Sequence, residues 1–321
     1  MNRDDVAWAG YWPAAPTPFD SDRAVDVDGL TALMELYVAL RVGGVLVNGS
    51  TGEWFSQSPA ERRRVAEVAI DAVDGRVPVI VGVTAYTADE AGDLARHAKD
   101  AGADGVLATP PPYVHPSGDE IVAFYRTLTA ATDLPFMVYN WPRGVAVDMS
   151  EIDGLYQRLA DLDRVVAIKD STGDWLSMLS TVEAVSDRVR VFGSFLHRRG
   201  LATLLELGGD GNIDGGGVGA PFGVSFYQAV RDRDVAAARE WADRYQGLSG
   251  RLIRPDYSGI HGSPIAQLKA VMNILGQPGG TVRPPLLDLV DDQRIRSLQR
   301  IVEESGIRRA TDERLAVAHA G

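Results

Sequence analysis

Val165-Val166-Ala167-Ile168-Lys169 is an apolar, largely β-branched run that closes on a lysine. Short runs of this composition read as strands. Seven others share its form, at residues 11–19, 44–48, 78–83, 105–108, 135–140, 190–192 and 211–214. Helix-entry signals lie between them. Ser58-Pro59-Ala60-Glu61, Thr87-Ala88-Asp89-Glu90 and Ser117-Gly118-Asp119-Glu120 each read as a capping box before periodic apolar residues. Successive runs begin about 20 to 35 residues apart, the length of one βα unit. Eight such units predict an α/β fold, a (β/α)8 TIM barrel over residues 1–221, in preference to a doubly wound sheet. The chain beyond residue 221 is longer than one closing helix requires. Helices are predicted through 222–251, 264–275 and 291–305, a C-terminal helical extension over 222–307, with 308–321 a helix or a frayed tail.

The 321 residues include no cysteine, are 45% apolar, and set 44 carboxylates against 32 basic side chains for a net charge of −12. Disulfides and thiolate metal sites are excluded. An acidic chain without a basic patch is expected to bind neither nucleic acid nor an anionic membrane. Asp4, Asp5, Asp20, Asp22 and Asp26 near the start argue against a signal peptide or anchor. No later window reaches ~18 apolar residues, so a cytoplasmic location is the expectation.

Of the 32 basic residues only Lys99, Lys169 and Lys269 are lysine; the rest are arginine. Arginine cannot replace lysine where a neutral amine must act as nucleophile, because the guanidinium stays protonated. Lys99 lies in a polar helical stretch, and Lys269 on a late helix away from any strand end. Lys169 ends the sixth run, and barrel active sites lie at the C-terminal ends of the strands. Alternation groups Val165, Ala167 and Lys169 on one face, with Val166 and Ile168 on the other. With the small Ala167 facing the crowded interior, Lys169 faces it too, and desolvation frees its amine for Schiff-base formation with a ketone or aldehyde. The competing reading pairs Lys169 with Asp170. On the neighbouring fifth run, Met137 and Tyr139 share a face, which makes the Tyr139 phenol a candidate proton shuttle for an imine; the alternative is a packed aromatic.

Gly49-Ser50-Thr51-Gly52-Glu53 closes the second run with hydroxyls held between glycines, a form suited to a small carboxylate. Gly215-Gly216-Gly217-Val218-Gly219-Ala220 has a dinucleotide-loop spacing but lacks the βαβ context, so no nicotinamide cofactor is expected. His97, His115, His197, His261 and His319 form no metal-ligand pair, so no metal site is expected either.

The order Gly49-Ser50-Thr51-Gly52-Glu53, Tyr139-Asn140-x-Pro142, Ile168-Lys169-Asp170-Ser171-Thr172-Gly173 resembles the dihydrodipicolinate synthase / N-acetylneuraminate lyase family of Schiff-base aldolases. The resemblance extends from Ala15-Pro16-Thr17-Pro18-Phe19 to Gly262-Ser263-Pro264 and Arg283-Pro284-Pro285-Leu286. It implies a pyruvate-dependent lyase with an aldehyde as second partner, assembled as a homotetramer or dimer of dimers, with no cofactor beyond a covalent imine on Lys169. By the same resemblance Tyr139 shuttles protons. Gly49, Ser50 and Thr51 hold the pyruvate carboxylate, Thr51 also relaying protons, and the Ile213 carbonyl lines the pocket. Tyr113 matches a tyrosine that some members donate across a subunit interface.

Departures bear on the substrate. The lysine-pathway synthases carry Arg where this chain has Gly144; Arg143 stands one residue earlier. Ser50 replaces their usual Thr, and the Ser form is common among sialic-acid and keto-deoxy-sugar-acid aldolases. Trp141 and Trp54 either shape a second-substrate pocket or pack, and Asp214 either binds substrate hydroxyls or caps the glycine-rich turn. The expectation is an aldolase for a 2-keto-3-deoxy sugar acid. The alternatives are 4-hydroxy-tetrahydrodipicolinate synthase, a dehydratase or hydratase-aldolase using the same imine, and, from another class, a non-catalytic 2-oxo-acid sensor.

Overall fold

Eight parallel strands pair in chain order and the first pairs with the last, closing a barrel in the computed structural model, which describes residues 1–319. The strands are β1 Gly10–Ala14, β2 Val45–Val47, β3 Val79–Gly82, β4 Gly105–Ala108, β5 Phe136–Asn140, β6 Val165–Asp170, β7 Arg190–Phe192 and β8 Gly211–Gly215. Around them run α1 Val27–Ala39, α2 Pro59–Val73, α3 Ala88–Asp100, α4 Gly118–Ala131, the short α5 Pro142–Val145 and α6 Leu155–Ala160, α7 Trp175–Val185, α8 Arg198–Glu206 and α9 Ala220–Arg231. The extension holds α10 Val235–Ser249, α11 Pro264–Leu275, α12 Asp292–Ser305 and α13 Ile307–His319. Among the described residues no helix is long and apolar enough to cross a membrane.

Two apolar clusters divide the labour. Leu46, Ile80, Leu107, Met137, Val166, Ala167 and Phe192 fill the barrel interior, where Trp12 meets Trp8 and Phe192 edge-on at 6.0 and 5.3 Å. Alternate strand residues such as Val45, Val81, Val106 and Val138 face outward to the helices. Ser58 with Glu61 and Ser117 with Glu120 form the expected reciprocal caps. Thr87 forms only half of one, accepting from the Glu90 N–H. The Glu90 carboxylate instead acts on the buried Arg62.

The structure departs from the sequence reading at several points. The first run stops at Ala14, because Pro16 and Pro18 have no N–H to give a ladder; Phe19 makes only isolated bridges. In β6, Phe136 faces Val165 but Met137 faces Ala167, a one-residue bulge. Val165 therefore turns outward while Val166 and Ala167 both enter the interior, so the strict alternation assigned to this strand fails at its start. The stretch 222–251 is two helices, broken where Arg233 adopts a left-handed backbone and Asp234 caps α10. The first of them, α9, begins at Ala220 and packs on β1. Of the two readings of 308–321, helix or frayed tail, the helix is found as far as His319: Ile307 is fully buried and Arg314 bonds Ser225 Oγ at 2.7 Å, tying α13 to α9. Residues 320–321 lie outside the described residues.

Candidate active site

Past the bulge, Ile168 and Asp170 face the helices and Lys169 faces the barrel axis. Its Cα is the register partner of Tyr139, and Nζ lies 4.0 Å from the centre of the Tyr139 ring. The lysine is 7% exposed, and among the described residues no carboxylate lies within ion-pair distance of it. Burial lowers its pKa to about 7, opposed only by the more distant charge of Asp214. The pairing of Lys169 with Asp170 does not occur. Asp170 accepts from Asn140 at 2.9 Å, the Thr172 N–H at 2.9 Å, Tyr156 at 3.0 Å and Thr181 at 2.7 Å, all behind the strand. That network pins the ends of β5 and β6 and so fixes the spacing of Tyr139 and Lys169. Burial raises the Tyr139 phenol, against the hydroxyls of Ser171 and Ser50 and the charge of Arg143. It is therefore a protonated phenol at neutral pH with two hydroxyl neighbours, the state a proton donor needs.

The Ser50 contact joins the Gly49–Glu53 loop to this pair. Thr51 lies over the end of β8, its Oγ1 3.8 Å from the point where Gly215 would carry a Cβ. Gly49 is buried, and Ile213 packs on the interior cluster. Asp214 turns the other way. Its Oδ2 accepts from Tyr245 at 2.5 Å and Tyr11 at 3.2 Å, and its Oδ1 from the Gly215 N–H at 2.8 Å. Both oxygens are engaged behind the strand, and the Gly215 contact caps the turn. Tyr113, at left-handed φ of 78°, is 92% exposed and makes no hydrogen bond or ring contact with any site residue of its own chain.

The mouth is built around Trp141, which stacks on Tyr139 with ring centres 6.1 Å apart. Arg143 lies 4.2 Å from the Trp141 ring and 3.5 Å from that of Tyr257, and donates to the Ser171 carbonyl at 2.9 Å. Although it stands one residue early, its guanidinium thus reaches the mouth. Gly144 has a specific cause: a Cβ there would come within 2.1 Å of Trp141 Cδ1. The indole occupies the space a side chain at 144 would need, so the two departures are one. Trp54 packs on Phe55 and the exposed Tyr86, with Arg62 over its ring.

Sequence reasoning missed Tyr257 and Ser171. Tyr257 comes from the connection between α10 and α11 and its hydroxyl sits 3.2 Å from Ser194 Oγ. The available signal was the turn-rich Arg254-Pro255-Asp256-Tyr257-Ser258-Gly259 within a long connection, the kind that tends to serve a site.

The sequence profile of the dihydrodipicolinate synthetase family matches residues 7–305. An uncharacterized DapA-like lyase of Rhizobium meliloti is 36% identical over 87% of this chain and 90% of its own length. A 4-hydroxy-tetrahydrodipicolinate synthase of Gluconacetobacter diazotrophicus is 32% identical over 91% and 96%. The putative 2-dehydro-3-deoxy-D-gluconate aldolase YagE of Escherichia coli K12 is also 32% identical, over 92% and 97%. The crystal structure of YagE in complex with pyruvate aligns with a TM-score of 0.83 over 94% of this chain and all of that one, at 27% identity in the superposition.

Proposed function

The chain is a lyase of the dihydrodipicolinate synthetase family, and from that premise we propose that it makes or breaks a carbon–carbon bond in a 2-oxo acid through an imine between Lys169 and pyruvate. One observation carries the reading: a buried amine with no counter-ion, its pKa near 7, lies against a protonated tyrosine. About half of such an amine is neutral at pH 7, against roughly one in a few thousand for an ordinary lysine.

The neutral amine adds to the keto carbon of pyruvate. Tyr139 gives its proton to the resulting hydroxyl, which leaves as water; the phenolate then takes a methyl proton, and the enamine forms. Its carbon adds to the aldehyde while the phenol protonates the new alkoxide. Water releases the product and its proton restores the phenol. Cleavage is the reverse. Gly49, Ser50 and Thr51 hold the carboxylate, with Thr51 and a Tyr113 from a second copy extending the proton relay, and the Ile213 carbonyl lines the pocket. Tyr113, pointing away from its own site, suits a dimer of dimers.

For the second substrate a polyhydroxy aldehyde fits best, which makes the bond formed or broken that of a 2-keto-3-deoxy sugar acid. Ser171, Ser194 and Tyr257 ring the mouth with hydroxyls, and Arg143 adds a cation suited to an electron-rich tail. The lysine-pathway synthase fits less well, because Trp141 fills the place of its arginine at 144.

The test is borohydride reduction in the presence of pyruvate with peptide mapping, and then a rate comparison of aldehydes. A reduced pyruvyl adduct on Lys169, and faster addition to a polyhydroxy aldehyde than to aspartate semialdehyde, are expected. A folded protein with no adduct would overturn the imine; the opposite order of aldehydes would restore the synthase.

A further inference from the structure

The proposed chemistry leaves unused a deeply buried ion pair. Glu53, last residue of the Gly49–Glu53 loop, is fully buried, and Lys269 on α11 is 2% exposed. Lys269 Nζ lies 2.5 Å from Glu53 Oε1, 2.8 Å from the Thr17 carbonyl and 2.7 Å from the Thr281 carbonyl. Those three acceptors match the three donors of an ammonium. The Phe19 ring covers it at 4.5 Å. Glu53 Oε2 accepts the Arg283 N–H at 3.0 Å. Both charges are therefore met on every side, by chain segments from both ends of the sequence.

This arrangement grips the loop at a point of backbone strain. Asn48 and Glu53, on either side of Gly49–Gly52, both have left-handed backbones, with φ of 54° and 56°. Non-glycine residues hold that conformation only where their surroundings impose it. At the near end, Asn48 donates to the Arg62 carbonyl at 2.7 Å. In the middle, the Gly52 carbonyl accepts from Thr17 at 2.8 Å and from Gln57 at 2.7 Å. At the far end the Glu53 side chain is tied to the C-terminal extension by the salt bridge to Lys269 and by the Arg283 N–H.

We infer that Glu53 and Lys269 are positioning residues: the C-terminal extension reaches into the barrel through Lys269 to hold the Gly49–Glu53 loop in the conformation that receives the carboxylate of the 2-oxo acid. The inference rests on the proposed role of Ser50 and Thr51. A carboxylate needs its donors in place beforehand, since ordering a loosened loop on binding subtracts from affinity. Loosening the loop should therefore weaken capture of pyruvate while leaving Lys169 and Tyr139, which are fixed from β5 and β6, able to react.

Glu53→Gln/Lys269→Met removes both charges together and so leaves no buried charge unpaired. Borohydride trapping of pyruvate on Lys169 is measured across pyruvate concentration, beside the wild type. The expected result is a folded variant that is trapped at saturating pyruvate at a rate within about threefold of wild type, with half-saturation raised about tenfold or more, the loss of one or two charged hydrogen bonds. Unchanged half-saturation in the folded variant would overturn the inference, as would a lower saturating rate with half-saturation unchanged. Should the double variant not fold, Glu53→Gln alone decides by the same split, with a rise of about threefold expected and no rise overturning it. A wild-type protein that traps no pyruvate overturns the imine reading itself, and this inference with it.

Discussion

Lys169 and Lys269 are the same side chain placed in two kinds of burial. Lys169 lies near the end of a barrel strand against a tyrosine ring with, among the described residues, no carboxylate in ion-pair reach, and burial drives its amine toward neutrality. Lys269 is also closed to solvent and burial lowers its pKa too, yet a carboxylate and two carbonyls surround it, and the charge of Glu53 works against that desolvation. Burial by itself therefore does not make a lysine reactive. What decides is whether the fold supplies the positive charge with partners, and the two sites use the two answers for different ends. The third lysine, Lys99, pairs with Asp133 on the surface and belongs to neither class.

Exchanging each buried lysine for methionine breaks the comparison most severely. Lys169→Met should abolish turnover and pyruvate trapping without lowering thermal stability, because a desolvated amine is removed. Lys269→Met should cost about 3–5 kcal/mol in denaturant unfolding by leaving the Glu53 charge buried alone. The sign has a pH signature. Since the folded value of Lys169 lies near 7, below the ordinary lysine value of about 10.4, the unfolded chain holds more protons between those limits. The penalty is complete below pH 7 and fades as pH rises toward 10, so the advantage of Lys169→Met should shrink across that window. Equal stability losses from the two exchanges would erase the distinction.

Tyr139→Phe tests the partner that Lys169 does have. Turnover should fall by about 10²- to 10⁴-fold while pyruvate remains trappable on Lys169, as removal of a proton shuttle predicts. A variant with wild-type turnover would reduce Tyr139 to packing. The mildest test is the pH dependence of trapping by pyruvate at limiting concentration. The rate should rise about tenfold per unit below pH 7 and level off above it. A midpoint near that of a surface lysine would place Lys169 in the same electrostatic class as Lys99.

The strand segments, the strand-end position of Lys169 and the shared face of Met137 and Tyr139 were legible because they depend on residues within a few positions of one another. The bulge that turns Val165 outward was not, since it is a property of the pairing between two strands. Gly144 could be read as a missing arginine but not as room left for the Trp141 ring, which needs the turn of α5 to be known. Asp214 offered two roles in sequence, and no local pattern showed that Tyr11 and Tyr245, brought in from β1 and α10, bond it. Tyr257 reaches the mouth from the extension, across a separation that no local pattern encodes.

The amino-acid sequence determined what local physics can determine: eight apolar runs with capped helices between them, a lysine kept among arginines, and a hydroxyl loop between glycines. The tertiary structure alone decided which lysine carries an unpaired charge. The ammonium of Lys269 meets Glu53 across 216 positions of chain, and the amine of Lys169 has Asp170 beside it in sequence but facing the opposite side of the strand. A protonation state is set by every charge and dipole within a few ångströms, and only the folded chain fixes which those are.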